Sequence, residues 1–586
     1  MNQLRFLLIQ LGRHKFSYFA GVSFIFATNW MAVSIPSYLQ QAVDLLSLGS
    51  EAIGSRRSEL GVALMMILAF AGGVVVVRTL SRVMFFNPGR TIEYEVKNQL
   101  FDQLTHLEKD YYDKNQIGNI VSRLQNDITG LRLLCGFGAM QFFNIISALS
   151  LTPYMMWKLS PELTLYCVVP VLLVFGLVRF GMRFIVTHSR LLQAQLQEIS
   201  GFIVSSLSGV DVLKGFSLEG WSNKSFRQIN QRMLNESLSI SFIRSFLMPI
   251  LNNLEHILKV LILMVGGVYV IEGSFSIGEL TEFIAYAALL TTPIMGLGWL
   301  STLFQQSMVG VESIQTILSQ ETPKKHLPRL AAQEGKSLFE KGLKVEGLAY
   351  QYDDGEHPVL EHISFEVLPH RTLGILGKIG SGKSTLVNCL NGYLQPPPGT
   401  IFVGGRDITE MNPKDLREQI RTVSQDVFLF SETVRNNILF GGQEPPTSEE
   451  LLTLIDKAAL SDEVARFPQG LETLVGERGI MLSGGQKQRI SLARAMAQPC
   501  GLLILDNVLS AVDYETERFL LGQILKRESA RSLLIVSHRV RALEQADEIL
   551  VLDQGKIVQR GRHEDLLAEP GIYFETWELQ NQGDHG

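Results

Sequence analysis

The sequence is poor in charged residues and in cysteine. Charged residues make up 19% of the 586 residues, below the usual quarter of a soluble protein. The net charge of -6 lacks the basic surplus that is typical of nucleic-acid binding, so we expect no nucleic-acid partner. The four cysteines are far apart and do not have the spacing of metal ligands, which predicts neither a disulfide framework nor a zinc site. They are Cys135, Cys167, Cys389 and Cys500.

The missing charge is concentrated in long apolar runs of the first half. Six runs are long enough, or nearly so, to cross a bilayer, which takes about 20 residues. They cover residues 16–41, 60–77, 133–157, 163–178, 242–271 and 283–311. One such run could equally be a buried helix of a large soluble protein. Six of them within the first 311 residues favour membrane spans, and we predict an all-α transmembrane domain over residues 1–317.

The positions of lysine and arginine predict the orientation of this domain. These residues are concentrated between the second and third spans and between the fourth and fifth, which places both segments and both termini in the cytoplasm. The two segments, 91–127 and 188–237, have regularly spaced apolar residues and are predicted to continue the spans as long helices. Residues 1–15 are predicted to form an interfacial helix, in preference to a cleaved signal peptide.

The second half has the pattern of an α/β domain. Residues 318–341 are polar and rich in proline and lysine, which indicates a linker. From 342 to 586 short β-branched runs alternate with helical stretches. This alternation predicts a domain built on a parallel sheet.

A glycine-rich turn near the start of that domain carries the signature of a P-loop. Glycines at this spacing turn backbone N–H groups towards phosphates, Lys383 adds positive charge, and Ser384 offers a hydroxyl to magnesium. The residues of the loop are Gly377, Lys378, Ile379, Gly380, Ser381, Gly382, Lys383, Ser384 and Thr385. An apolar strand ends in Asp506, which would hold the metal from a second strand.

A second glycine-containing loop lies between the P-loop and Asp506. Ser483, Gly484, Gly485 and Gln486 precede a helical run, and a helix N-terminus of this kind binds anions. An ordinary capped helix explains this piece alone equally well.

In this order, the P-loop, the Leu482–Gln486 loop, Asp506, the Ser510–Asp513 run and His538 resemble the nucleotide-binding domain of the ABC transporter family. Six spans ahead of it resemble a half-transporter of the type IV, or exporter-type, fold in the bacterial plasma (inner) membrane. The resemblance implies ATP and Mg²⁺ as cofactors, with Ser384, Gln425 and Asp506 at the metal. It also implies that Tyr352 stacks on adenine, although a surface tyrosine is the alternative, and that His538 contacts the γ-phosphate. The segment 476–479 would contact the intracellular helices.

One residue departs from the family pattern. The family has glutamate after the strand aspartate, and this chain has Asn507. An amide can position a water but cannot take its proton, so the Lys383 site should bind ATP and hydrolyse it poorly. The chain therefore resembles the degenerate-site subunit of a heterodimeric bacterial multidrug-type exporter, whose partner half-transporter brings the carboxylate. An engineered substitution that traps ATP, or a homodimer with another base, is the alternative.

The resemblance predicts ATP-driven export of amphipathic drugs or lipid-like compounds. Import, for instance of a siderophore, is the alternative with the same fold, and a soluble ABC ATPase is disfavoured by the spans. Segments 111–122 and 209–221 are expected to dock on the nucleotide-binding domains. Polar residues inside spans are candidates for the substrate path, or for interhelical hydrogen bonds. They are Asn29, Trp30, Gln141, Asn144, Asn252, Asn253, Glu255, His256 and Lys259, of which Glu255 and Lys259 could pair.

Overall fold

The computed structural model describes most of the chain in two compact units. It covers residues 3–47, 56–115, 117–322, 327–331, 338–352, 355–440, 447–476, 479, 482–508, 513–525 and 531–583. The first unit comprises Met1–Asp102 and Gly118–Ser319, and the second comprises Gln103–Ile117 and Gln320–Gly586.

The described residues of the first unit form helices joined by short turns, with no strand among them. The helices of residues 3–318 are α1 (Gln3–Arg13), α2 (Lys15–Ser47), α3 (Arg57–His106), α4 (Lys109–Lys114), α5 (Ile117–Ser122), α6 (Ile128–Leu133), α7 (Ala139–Leu159), α8 (Pro161–Ser208), α9 (Val210–Gly215), α10 (Glu219–Ile271) and α11 (Ile277–Leu318). Of these, α4 belongs to the second unit. Within the part that the structure describes, six helical stretches are long and apolar enough to cross a bilayer, one for each predicted span.

Three of these helices are far longer than a bilayer requires. With 50, 48 and 53 residues, α3, α8 and α10 extend over roughly 70–80 Å at about 1.5 Å per residue. The hydrocarbon core is only about 30 Å thick. The predicted helical continuation of the spans beyond the membrane is therefore confirmed.

Local capping sets where two of the spans begin. The Ser160 hydroxyl accepts a hydrogen bond from the Leu163 N–H at 3.3 Å, directly before α8. At the start of α11, Ser276 and Glu279 form a capping box. Asp44 at the end of α2 reinforces it by accepting from the Gly278 N–H at 2.8 Å and from the Ser276 hydroxyl at 2.9 Å. These bonds tie α2 to α11.

The helical stretch Ile117–Leu159, which contains the third predicted span, is interrupted by two π turns that the sequence did not predict. They cover Arg123–Asp127 and Leu134–Gly138. A π turn frees a backbone carbonyl from the regular helical pattern. The Cys135 carbonyl accepts a hydrogen bond from the Tyr18 hydroxyl of α2 at 3.1 Å, so the second irregular turn is stabilised from outside the helix.

Several intramembrane polar residues have partners, either on another helix or within their own. The Asn29 amide donates to the Asn144 side chain at 3.2 Å, which is the interhelical alternative. Asn253 donates to the Pro249 carbonyl of its own helix at 2.8 Å. Glu255 and Lys259 form an ion pair at 2.6 Å, as their spacing predicted.

The second unit contains two sheets. In its described residues one sheet has the strand order β2-β1-β4-β5 and the other β10-β9-β3-β8-β7-β6. The strands are β1 (Leu343–Tyr350), β2 (Leu360–Val367), β3 (Thr372–Gly377), β4 (Ile401–Val403), β5 (Arg406–Asp407), β6 (Ile420–Val423), β7 (Leu502–Asp506), β8 (Ser532–Ser537), β9 (Glu548–Asp553) and β10 (Lys556–Gly561). Strands β9, β3, β8, β7 and β6 are parallel, and β10 is antiparallel to β9.

Helices pack on the six-stranded sheet and bury its apolar strands. They are α12 (Lys383–Leu390), α13 (Pro413–Gln419), α17 (Gly484–Met496), α18 (Tyr514–Ile524), α19 (His563–Ala568) and α20 (Ile572–Gly583). A separate apolar cluster joins α17 to α14 (Val434–Leu439), α15 (Ser448–Lys457) and α16 (Ser461–Arg466). All five residues of β7 and all six of β8 are buried, as in sheets covered on both faces. The carboxyl ends of β3, β7 and β8 therefore meet at one edge, where α/β domains bind ligands.

The end of the predicted linker packs on this unit. The Leu330 N–H donates to Asp415 at 2.8 Å, and the Arg329 guanidinium pairs with Asp415 and Glu418. The Asn412 amide donates to the Leu327 carbonyl at 2.7 Å. Residues 327–331 are thus attached to the second unit, while residues 323–326 and 332–337 lie outside the described part of the chain.

Candidate nucleotide-binding site

The P-loop connects β3 to α12 through two left-handed glycines. Gly380 has φ +86° and Gly382 has φ +98°. Residues that carry a side chain are strained in this left-handed conformation, whereas glycine adopts it readily. A Cβ on Gly377 would lie 2.5 Å from both the Leu552 carbonyl oxygen and the Ser381 hydroxyl, so no side chain fits there. A glycine-rich loop that leads into a helix N-terminus suits a phosphate chain.

Lys383 is held inside this loop by its own backbone. The ammonium donates to the carbonyls of Gly377 and Lys378, both at 2.7 Å. Burial lowers the pKa of Lys383, and the carboxylate of Asp506 partly opposes that shift. The charge is therefore poised at the loop, where phosphate oxygens would replace the carbonyl partners. Ile379 at the tip is fully exposed.

The predicted metal ligands lie on the wall of one cleft. Ser384, Gln425 and Asp506 all line it, and the Ser384 hydroxyl hydrogen-bonds Asp506. Burial raises the pKa of Asp506, although Lys383 and Ser384 act against the shift. A carboxylate, a hydroxyl and an amide oxygen are hard donors of the kind that magnesium prefers. The residues present fit a Mg²⁺–phosphate ligand.

Tyr352 lies beside the start of α12. Its hydroxyl is 3.2 Å from the Thr385 hydroxyl, and its ring is 41% exposed. The ring of Tyr350 stands perpendicular to it, with the ring centroids 5.3 Å apart. An open face next to the P-loop is available to a flat heterocycle.

Asn507 and His538 follow the neighbouring strands β7 and β8. Asn507 has φ +51°, and its backbone N–H donates to the Val536 carbonyl at 2.9 Å. Asparagine tolerates this left-handed conformation better than most residues. Burial, together with the charges of Arg539 and Lys383, lowers the pKa of His538. The imidazole is therefore neutral at neutral pH and can donate one N–H to an anion.

The Ser483–Gln486 loop is placed differently from the other site residues. Ser483 caps α17, and its capping box with Gln486 is formed by both reciprocal bonds, at 3.3 and 3.0 Å. Ser483 and Gly484 are exposed. Among the described cleft-lining residues none belongs to this loop, so the chain by itself does not bring the loop to the Lys383 site.

Some predicted motif residues lie outside the described residues. Glu477 and Arg478 of the 476–479 segment, and 510–512 of the run before Asp513, are not described. Asp513 itself caps α18 by accepting from the Thr516 N–H at 3.0 Å.

Sequence reasoning did not identify one residue that contacts the site. It is Gln580 of α20, whose amide contacts the backbone around His538. No sequence signal links residues 42 positions apart.

Comparisons with known proteins agree with this architecture. Residues 18–294 match the model of the ABC transporter transmembrane region, and residues 360–510 match that of the ABC transporter. The uncharacterized ABC transporter ATP-binding protein YknU of Bacillus subtilis (strain 168) is 32% identical over 83% of each chain. The multidrug resistance-like ATP-binding protein MdlA of Escherichia coli (strain K12) is 29% identical over 89% of this chain and 87% of its own.

Two further similar proteins are a lipid A-core flippase and an exporter of known structure. The ATP-dependent lipid A-core flippase of Pseudomonas fluorescens (strain Pf0-1) is 32% identical over 82% of this chain and 79% of its own. The structure of a bacterial Atm1-family ABC exporter with ATP bound superimposes with a TM-score of 0.80 over 99% of both chains, at 22% identity. At that identity the likeness concerns the fold alone, and it confirms the predicted exporter-type fold.

Proposed function

Because this chain belongs to the ABC transporter family, whose members couple ATP hydrolysis to transport, we propose that it is one half of a heterodimeric exporter. The proposed cargo is amphipathic drugs or lipid-like compounds, and the proposed location is the bacterial plasma membrane with both termini cytoplasmic. The single observation that carries the asymmetry is Asn507, which stands where the family has glutamate in a chain whose other ATP-site motifs match the family.

The proposed roles of the site residues follow from their positions. The P-loop backbone and Lys383 bind the phosphates, Tyr352 supports the adenine, and Ser384, Gln425 and Asp506 hold Mg²⁺. Bound Mg²⁺ supplies charge neutralisation on the phosphate oxygens. His538, neutral at neutral pH, donates an N–H to the γ-phosphate.

Asn507 separates ATP binding from hydrolysis at this site. Its carboxamide can orient a water molecule but has no basic oxygen to accept the proton. The Lys383 site then retains ATP as a bridge between the two halves. Hydrolysis proceeds at the second site, to which this chain contributes the exposed Ser483–Gln486 loop and the partner half-transporter contributes its own P-loop and carboxylate.

Transmission to the membrane helices is proposed to use the intracellular connections. Residues Gln103–Ile117, which overlap the predicted segment 111–122, belong to the same compact unit as the nucleotide site. The Gln103 amide donates to the Gln320 carbonyl at 2.8 Å within that unit. Segment 209–221 lies in the first unit, and its docking on the partner's domain remains part of the proposal.

The Glu255–Lys259 pair is proposed to line the substrate path. The pair lies in the second half of α10, inside the apolar run 242–271, and exposed apolar residues precede and follow it, with Phe246 62% and Met264 71% exposed. A charge pair inside an apolar span is costly against lipid, so it is expected to face a cavity or other helices. The names of the multidrug and lipid A-core relatives support an amphipathic cargo for such a surface.

The substrate path is tested with paired neutral replacements. Glu255→Gln with Lys259→Met should change transport of a fluorescent amphipathic dye into inside-out vesicles while leaving basal ATPase activity intact. Ser245→Ala is the control on the same helix because its hydroxyl donates to the Ser241 carbonyl of that helix and Ser245 is not a candidate for the path. Unchanged dye transport by the double variant would remove the pair from the path.

The heterodimer is tested by co-purification in mild detergent followed by mass spectrometry. We expect a second half-transporter with glutamate after its strand aspartate, and low ATPase activity when this chain is purified alone. Brisk ATPase activity of this chain alone would contradict the degenerate site and favour a homodimer with another base. ATP-dependent dye uptake into whole cells, instead of dye efflux, would favour an importer.

A further inference from the structure

We propose that Gln580 is a positioning residue for the γ-phosphate contact, because its side chain holds the loop that carries His538. The inference rests on the proposed role of His538. It assigns to the C-terminal helix α20 a part in distinguishing ATP from ADP at the Lys383 site.

Gln580 engages the loop on both sides of Arg539. Its amide nitrogen donates to the His538 carbonyl at 2.8 Å, and its amide oxygen accepts from the Val540 N–H at 2.9 Å. Both partners are backbone atoms, so the two bonds set the path of the chain regardless of side-chain identity. A primary amide is the group that supplies one donor and one acceptor in this geometry.

Contacts that do not involve Gln580 hold Arg539 and Val540, the next two residues of the loop. The Arg539 N–H donates to the Ser537 hydroxyl at 2.9 Å, and the Arg539 guanidinium pairs with Glu517 at 3.0 Å. Val540 is fully buried. The Gln580 amide adds a bond at the His538 carbonyl itself, immediately after β8 ends.

Helix α20 does not need Gln580 in order to dock. Tyr573 at its start is fully buried, and its hydroxyl lies 2.7 Å from the Nδ1 atom of His563. The Tyr573 N–H also donates to the Gln559 side chain at 3.0 Å. Removing the Gln580 amide should leave the helix in place and loosen only the loop.

A more mobile loop would weaken the contact between His538 and the γ-phosphate. His538 would lose preorganisation towards the γ-phosphate, which ATP has and ADP lacks. The expected signature is a selective loss of ATP affinity. A general structural defect would lower the affinity for both nucleotides.

The test measures nucleotide preference on this polypeptide within the complete co-purified transporter. Radioactive 8-azido-ATP labels the chain, and protection by unlabelled ATP and by ADP gives the two affinities. Gln580→Ala should reduce the ATP-over-ADP preference about 3- to 10-fold, the effect expected from one to two neutral hydrogen bonds. Gln580→Glu should reduce it as well, because a carboxylate oxygen would face the His538 carbonyl.

Asn581→Ala is the matched control. Asn581 is the next residue of α20, and its side chain accepts from Arg541 at 3.1 Å without contacting the His538 backbone. It should leave the preference unchanged. An equal loss with Asn581→Ala, or an equal loss of ATP and ADP affinity with Gln580→Ala, would overturn the inference.

A His538→Ala background separates this inference from the proposed function. His538→Ala alone should lower the ATP preference, and adding Gln580→Ala should have no further effect. If Gln580→Ala costs the same with and without His538, Gln580 does not act through it and only this inference fails. If His538→Ala leaves the preference unchanged, the proposed role of His538 and the inference are both wrong.

Discussion

Replacing Asn507 by glutamate should convert a retaining site into a hydrolysing one. The substitution adds a carboxylate and one methylene, about 1.5 Å of reach, beyond the end of β7. The backbone should stay in place because the residue 507 N–H is bonded to the Val536 carbonyl. A positioned general base contributes roughly 10²–10⁴-fold to rate, so hydrolysis of the ATP held at the Lys383 site should rise by that factor.

The same backbone predicts a cost in stability. At φ +51° a glutamate lacks the local hydrogen bonding that lets asparagine adopt the left-handed conformation, and the penalty is about 1 kcal/mol. Asn507→Glu should therefore hydrolyse faster and melt slightly earlier. Asn507→Gln has the same length and the same strain but no carboxylate, so it should show the earlier melting without the faster hydrolysis.

The assay follows the nucleotide on this polypeptide, because the partner site would dominate a bulk measurement. The complex is loaded with radioactive ATP, freed of unbound nucleotide and sampled over time, and the retained nucleotide is separated into ATP and ADP. The unmodified chain should retain ATP. Rapid conversion to ADP by the unmodified chain, or equal rates for Asn507→Glu and Asn507→Gln, would refute the reasoning.

Three further predictions concern the membrane helices and the proposed Mg²⁺ ligand Asp506. In Gly278→Ala the new Cβ would lie 2.5 Å from the Asp44 carboxylate, so the α2–α11 cap should break at a cost of about 1–2 kcal/mol. An unchanged melting temperature in detergent would contradict this. Asn29→Ala should cost about 1 kcal/mol by leaving Asn144 unpaired, and replacing both asparagines by leucine should restore most of it; equal melting of single and double variants would argue against the bond. Because burial raises the pKa of Asp506, its carboxylate is lost at a higher pH than that of an ordinary aspartate as the solution is acidified. Mg²⁺-dependent ATP binding should therefore weaken more on acidification than binding in EDTA, as measured by azido-ATP labelling, and parallel pH profiles would contradict the assignment of Asp506 to the metal.

The spans and the P-loop were predictable because their physics is local in sequence. An apolar run of bilayer length, such as residues 283–311, carries its own reason to be helical in a membrane. The glycines at 380 and 382 occur where the chain must turn with positive φ, and Lys383 follows within the same loop. The Glu255–Lys259 pair was predictable for the same reason, since both residues lie one turn apart on one helix.

The contacts that sequence reasoning missed join distant parts of the chain. Asp44 caps α11 from more than 230 positions away, and Gln580 reaches His538 from 42 positions away. The π turn at Leu134–Gly138 has ordinary helix-forming neighbours, and its external partner is Tyr18. The sequence also left open whether Asn29 and Asn144 face substrate or each other, and only the packing of α2 against α7 decided it.

The amino-acid sequence by itself determined six apolar runs suited to crossing a membrane, an ATP-type phosphate loop and an amide in place of the expected carboxylate. Each of these depends on the chemistry of residues that are close together along the chain. Tertiary structure alone decided which carbonyl partners hold Lys383, that Ser384, Gln425 and Asp506 share one cleft, and that α20 supports the His538 loop. Those relations depend on how the strands order themselves in the sheet and how helices pack upon it, which no local pattern encodes.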